Sequence, residues 1–333
     1  NKDGSSTYHY YHKLLYNSYL SFNRFYGETF VVYNPEYQTL KVNKSETTMA
    51  SGKKVKSPEN AYNEVLPSAA ADAPAYNYLR EMVITHVGLE RGVVVELDYV
   101  IESKLGFQPF FADKVNLCES SPVKEQEVIV RIPKDEKLNV NIINQPKGLI
   151  CKVTTDGDYT VYSWKTENLK GYSHEPLQIE GQASYPFITF SNVDLQTAFN
   201  YLKGKLTNTL VTDDASKKLI TSDAKGWEKV NLIREHVALN MNSYGVQPQL
   251  TGYRFRSPEE VWQSNGGTDG EKVVLLAEML KSAGFNAQPV IAGYSHFLNE
   301  EIGCLGAFDK IYVKVNFENE TRLKLDLNAG MYL

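Results

Sequence analysis

Hydrophobic and polar positions divide this chain into two differently patterned parts. Up to about residue 190 the apolar residues fall in short runs with partial alternation. Examples are 29-TFVVYN-34, 93-VVVELDYVIES-103, 126-QEVIVRIP-133 and 156-DGDYTVYSWKTEN-168, the last entered from a turn. Alternation with a period of two, rich in β-branched and aromatic residues, predicts strands. Asn34-Pro35, Ser51-Gly52, Gln145-Pro146 and Asp156-Gly157 supply turn chemistry between them. Many short strands joined by polar turns predict a β-sandwich. The Ala- and Pro-rich stretch 60–83 reads as a surface loop, and no internal repeat is present.

After residue 190 the period lengthens. In 194–206 Leu195, Phe199 and Leu202 share one side, as a helix requires. In 225–241 Trp227, Val230, Ile233, Val237 and Met241 recur every three or four residues. In 264-SNGGTDGEKVVLLAEMLKSAGF-285 the positions Val273, Leu276 and Leu280 point inward. Strand-like runs follow at 287–293, 309–317 and 322–327. Helices first and an antiparallel sheet last give an α+β order. The expected domains are therefore 1–190 and 191–333.

The chain has 333 residues and a net charge of −5. That balance offers no basic face for nucleic acid. No run approaches the roughly 18 apolar residues that span a bilayer. The chain opens on Asn1 in a polar stretch without a leader's apolar core, which reads as a processed or trimmed start. The second domain is expected to continue past Leu333. Three widely spaced cysteines, Cys118, Cys151 and Cys304, form neither a disulfide framework nor a zinc motif; their redox state stays open.

The glycine-rich entry to the 264–285 helix raises three readings. Thr268 and Glu271 have capping-box spacing, with Lys281 and Gly284 as matching C-terminal signals. A phosphate cradle fails, because Glu271 separates Gly270 from Lys272 and Val273 stands where a hydroxyl is needed. A nucleophile is absent from the turn itself. Cys304 lies near His296 in sequence, but a cysteine nucleophile also needs a base within reach and an orienting group. His9 and His12 read as surface residues and His236 as a solvated helix residue. No GxSxG, HExxH or EF-hand pattern occurs, and no cofactor or metal set is indicated.

Taken in order, 227-WEKVNLIREHVALNMNSYG-245, 252-GYRFRSPEEVWQSNGGTDGEKVVLLAEMLKSAGFNAQPV-290, 308-FDKIYVKV-315 and 325-LDL-327 resemble bacterial transglutaminase-like domains with a papain-like core. The segments 33–55, 88–104 and 122–134 resemble the β-rich domain of unknown function that precedes such domains in envelope proteins. The resemblance implies a Cys at the start of the helix, then a His and an Asp on successive strands. Matched without gaps, these positions hold Asp269, Lys310 and Asp326. A carboxylate is a poor acyl-transfer nucleophile, and an ammonium is a poor base at neutral pH. The implied protein is a catalytically degenerate, exported envelope member, and Asp269 is expected to pair with Lys310. It would bind a peptide, glycan or protein, or act as a scaffold. Tyr253, Trp262, Tyr294 and Phe297, with Tyr244 and Phe255, are candidate groove residues. The alternative is a cysteine-protease-like or transglutaminase-like hydrolase with altered catalytic residues.

Overall fold

A computed structural model describes the chain except residues 174–184, 207–216, 221–223, 294–296, 309, 317–321, 327–329 and 333; at 24–25, 322–326 and 330–332 it describes the backbone. The chain forms two compact units. One holds Asn1–Gln108, Ser243–Arg254 and Gly266–Thr268; the other holds Pro109–Asn242, Phe255–Asn265 and Asp269–Leu333. The expected boundary near residue 190 lies inside the second unit.

The first unit contains β1 (Ser6–Leu15), β2 (Glu28–Tyr33), β3 (Gln38–Thr48), β4 (Lys54–Lys56), β5 (Tyr62–Val65), β6 (Arg80–Thr85) and β7 (Val94–Ser103). They make two antiparallel sheets, ordered β1-β7-β3-β4 and β2-β6-β5. Direct pairing of His12 with Leu97 and of Ser45 with Leu97 sends all three side chains to one face. There Leu97 shares a core with Val31 and Ile84 of the other sheet, so the two sheets pack face to face.

The stretch 60–83 is not the surface loop its composition suggested. It contains β5 and leads into β6. Its alanines pack through short 3-10 turns, so Ala70, Ala73, Tyr76 and Leu79 are buried and share a core with Tyr244 and Val246. Alanine carries little hydrophobic signal, yet its small side chain lets such turns pack closely.

The second unit starts with β8 (Ala112–Asn116), β9 (Val123–Pro133), β10 (Asn139–Ile143), β11 (Ile150–Asp156), β12 (Tyr159–Leu169) and β13 (Phe187–Ser191). These form sheets ordered β10-β13-β8 and β11-β12-β9. Val130, Ile132, Trp164, Ile188 and Phe190 fill the core they share. The β-rich part is thus two pairs of facing sheets, where the sequence suggested a single sandwich. Alternation sets which side of a strand is buried but not which strands share a sheet.

Next come α1 (Leu195–Leu206), α2 (Trp227–Glu235), β14 (Asn242–Tyr244), α3 (Pro258–Gln263), β15 (Gly266–Thr268), α4 (Asp269–Ser282), β16 (Asn286–Ala292), β17 (Lys310–Asn316), β18 (Arg322–Asp326) and β19 (Gly330–Tyr332). A five-residue π-turn, His236–Asn240, continues α2. The last four strands form one antiparallel sheet in sequence order, and α4 packs on β16 and β17. Val230, Ile233 and Val237 of the α2 segment meet Leu276 and Leu280 of α4 and Val313 and Val315 of β17 in one core. Trp227 departs from its expected stripe: as the first residue of α2 it is 55% exposed.

The three inward positions expected on α4 understate its burial. All residues from Glu271 to Ala277, and Met279 and Leu280, are buried. A helix covered on nearly all sides is central to its unit. Each buried Val, Leu or Met side chain contributes about 1.5–3 kcal/mol. Burial on this scale also takes in two charged residues, Glu271 and Lys272.

Candidate functional site

Asp269 is the first residue of α4 and is exposed. A carboxylate at a helix N-terminus faces unpaired backbone N–H groups and the positive end of the helix dipole, worth about 0.3–1 kcal/mol. Behind it the first turn of α4 is held from three sides.

The first hold is an ion pair. The Glu271 carboxylate is wholly buried and accepts from the Arg256 side chain at both oxygens: Oε1 from Nε at 3.1 Å and Oε2 from Nη2 at 2.9 Å. The Arg256 backbone N–H donates to Oε1 as well, at 2.9 Å, and Arg256 Nη1 reaches Ser264 Oγ at 3.0 Å. A planar guanidinium matches both carboxylate oxygens, the arrangement in which such pairs are strongest.

The second hold is Lys272. Its buried ammonium donates to the carbonyls of Met241, at 3.2 Å, and Ala238, at 3.4 Å. Ala238 lies within the π-turn and Met241 just after it, in the last stretch of a helix where carbonyls run out of helical partners. Burial lowers the Lys272 pKa, and the Asp269 charge opposes that shift.

The third hold is steric. A Cβ on Gly270 would come within 2.8 Å of Phe255 Cε1, so the ring lies almost on the helix backbone. A small cavity of about 280 Å³ opens on this side, lined in part by Lys205, Phe255, Arg256, Glu260 and Val274.

Glu271 is committed to Arg256, and Thr268 belongs to β15. A capping box forms earlier in the chain, at the start of α3. Ser257 Oγ accepts from the Glu260 N–H, and Glu260 Oε2 accepts from the Ser257 N–H at 2.8 Å, with Pro258 in the first turn. Bonding by Ser257 holds the Glu260 carboxyl below its ordinary pKa. The spacing Ser257-x-x-Glu260 ahead of an apolar run was the available signal. Arg256 and Lys272 carried no such mark.

Lys310 is exposed at the start of β17, with Ala292 as its Cα partner across the sheet. Among the described residues no salt bridge of 4.0 Å or less involves Asp269. Its charge acts instead on Lys272, one turn away. Asp326 ends β18 opposite Gly330, and its side chain lies outside the described residues, as do Tyr294 and His296.

The described aromatic candidates have the following places. Phe297 is 4% exposed and packs edge-on against Phe187, 5.2 Å between ring centres, beside Ile143. It is a core residue, with no face left for a ligand. Trp262 lies against the α4 core and the His236 ring, 5.2 Å away. His236 is therefore half-buried rather than solvated, and burial lowers its pKa. Tyr253 belongs to the first unit, where it adopts a left-handed backbone with φ 57° and donates its N–H to Pro248 O.

The other nucleophile candidate is also placed. Cys304 is buried, and burial pushes its thiol up to about 11, with the Asp113 charge adding to the shift. A reactive cysteine needs the opposite shift. Among the described residues no group of three or more His, Cys, Asp or Glu could hold a metal ion.

Residues 2–173 match a family described as a domain of unknown function with solved structure, DUF3857. A crystal structure of a "putative protease" from Parabacteroides distasonis is similar to this chain at 30% identity and a TM-score of 0.88, covering 99% of this chain and 68% of that one. A "putative cysteine protease" from Cytophaga hutchinsonii aligns over 66% of this chain and 79% of its own, at 11% identity and a TM-score of 0.28. No curated protein sequence matches.

Proposed function

The chain belongs to the DUF3857 family, and on that premise we propose that its helix-and-sheet module is transglutaminase-like in fold and non-catalytic in chemistry. One observation carries the reading: Asp269 stands exposed as the first residue of α4, the place where the resemblance puts a cysteine. There a helix N-terminus would stabilise a thiolate; here it stabilises a carboxylate that does not attack an unactivated amide. Lys310 takes the base position, and an ammonium is a poor general base at neutral pH. The three holds fix the first turn of α4 behind Asp269. We further propose that the protein is exported and that the module binds a peptide, a glycan or a partner protein, or serves as a scaffold.

The second reading is a hydrolase with altered residues, favoured by the description of the Parabacteroides relative as a protease. An amidase and esterase panel separates the two when run on wild type, Asp269→Asn and the double variant Asp269→Cys/Lys310→His. The non-catalytic reading expects an inert wild type and activity gained in the double variant. Wild-type turnover abolished by Asp269→Asn would establish the hydrolase instead.

A further inference from the structure

The inference concerns the edge strand β11 and stands independently of the proposed function. β11 is terminal in the order β11-β12-β9, and each of its seven residues is exposed. Its sequence, ICKVTTD, is rich in β-formers and contains no proline. Such an edge presents backbone N–H and C=O groups to whatever strand can match them.

Pairing with β12 fixes the two faces of β11. Cys151 lies opposite the buried Trp164 and Val153 opposite Tyr162, so Cys151, Val153 and Thr155 share the core-facing side. Ile150, Lys152, Thr154 and Asp156 share the other. Val153 is 63% exposed and Ile150 49%, so apolar surface is uncovered on both faces. The charges are also incomplete. Asp156 bonds Arg131 through Oδ2 at 2.7 Å, which leaves Oδ1, and Lys152 has no ion pair among the described residues.

We propose that two copies of this chain pair antiparallel through β11 about a two-fold axis at Thr154. In that register Lys152 lies directly opposite the partner's Asp156 and, by symmetry, Asp156 opposite the partner's Lys152. Val153 meets the partner's Thr155 on the core-facing side. A patch that complements itself is what a two-fold interface requires. Slipping two residues toward the N-terminal end, which keeps the faces together, sets Ile150 against Asp156 and removes both ion pairs. A single strand pairing is smaller than the roughly 1,200–2,000 Å² of stable interfaces, so the dimer is weak and reversible.

Sedimentation velocity of the full chain over a rising concentration series tests this, with Lys152→Glu and Asp156→Lys as charge variants. Wild type should dimerise with concentration. Each variant alone sets like charges opposite each other and should weaken association about tenfold or more. One variant then carries two acids at the paired positions and the other two lysines, so their equimolar mixture should dimerise again. Far-ultraviolet circular dichroism checks that each variant keeps its sheets. A spin label at Thr154→Cys, in a Cys151→Ser background, should show strong dipolar broadening in the dimer. A wild type that stays monomeric, variants that associate like wild type, a mixture that does not recover, or a dimer without broadening would each overturn the proposal.

Discussion

Arg256 grips Glu271 at both carboxylate oxygens, and the carboxylate it holds has no exposed surface. The pair fastens the first turn of α4 to the segment leading into α3. A charge left behind in this setting has no water to fall back on. Arg256→Met or Glu271→Gln should therefore cost about 3–5 kcal/mol, read from urea unfolding. Replacing both, as Arg256→Met with Glu271→Leu, should cost less than either change alone. A loss in the double variant equal to the sum of the two single losses would show that the two groups are not coupled.

The contact between Gly270 and Phe255 predicts a change of sign. Gly270→Ala forces the ring aside and should lose about 1–3 kcal/mol, more than the up to about 1 kcal/mol that alanine returns as a better helix former. In a Phe255→Leu background the obstruction shrinks, and the same substitution should become neutral or stabilising. Thermal unfolding of the four proteins in the cycle gives the answer.

Much of this arrangement was legible in the sequence, and the losses have specific causes. The strands at 94–103, 123–133 and 310–316 and the helix at 195–206 lie where periodicity places them, because one face of each is apolar. Two candidate capping boxes, 257–260 and 268–271, look alike in one dimension. The first forms, and at the second a buried arginine grips the Glu271 carboxylate, a tertiary contact that spacing alone does not show. Phe297 reads equally well as a groove lining or as core, since an aromatic residue in a loop carries no period. Lys272 was hidden for a similar reason: a lysine on a helix is normally solvated, and its burial follows from how fully α4 is enclosed.

Two histidines in the first unit predict sensitivity to acid. His86 is buried, with Nε2 2.9 Å from Thr29 Oγ1 and Nδ1 3.4 Å from Ser45 Oγ. His12 has its Nδ1 3.2 Å from the Tyr10 hydroxyl, and its buried Nε2 has no hydrogen-bond partner among the described residues. Burial, reinforced by the His86 charge, lowers the His12 pKa to about 4, and burial lowers that of His86. The unfolded chain, with His near its ordinary pKa of about 6.5, takes up protons first as pH falls. Stability is thus full above about pH 6.5 and declines toward pH 4, by up to about 3 kcal/mol from His12 alone. His12→Gln should flatten the pH dependence of urea unfolding across that window. An unchanged slope would remove His12 as its source.

The three thiols should separate by accessibility. Cys151 is exposed on β11, while Cys118 and Cys304 are buried with pKa values raised by burial. Iodoacetamide at neutral pH should label Cys151 in the native protein and leave the other two until urea is added. Rapid native labelling of Cys304 would reopen it as a nucleophile.

The central claim is that Asp269 occupies a nucleophile's position and has lost its chemistry. The pH dependence of alkylation in Asp269→Cys, with Cys151 in the same molecule as internal standard, tests it most directly. A thiol in that position should ionise well below the ordinary value of about 8.5, because the N-terminus of α4 stabilises its anion, and should outpace Cys151 at mildly acidic pH. A rate profile at 269 that coincides with that of Cys151 would contradict the account.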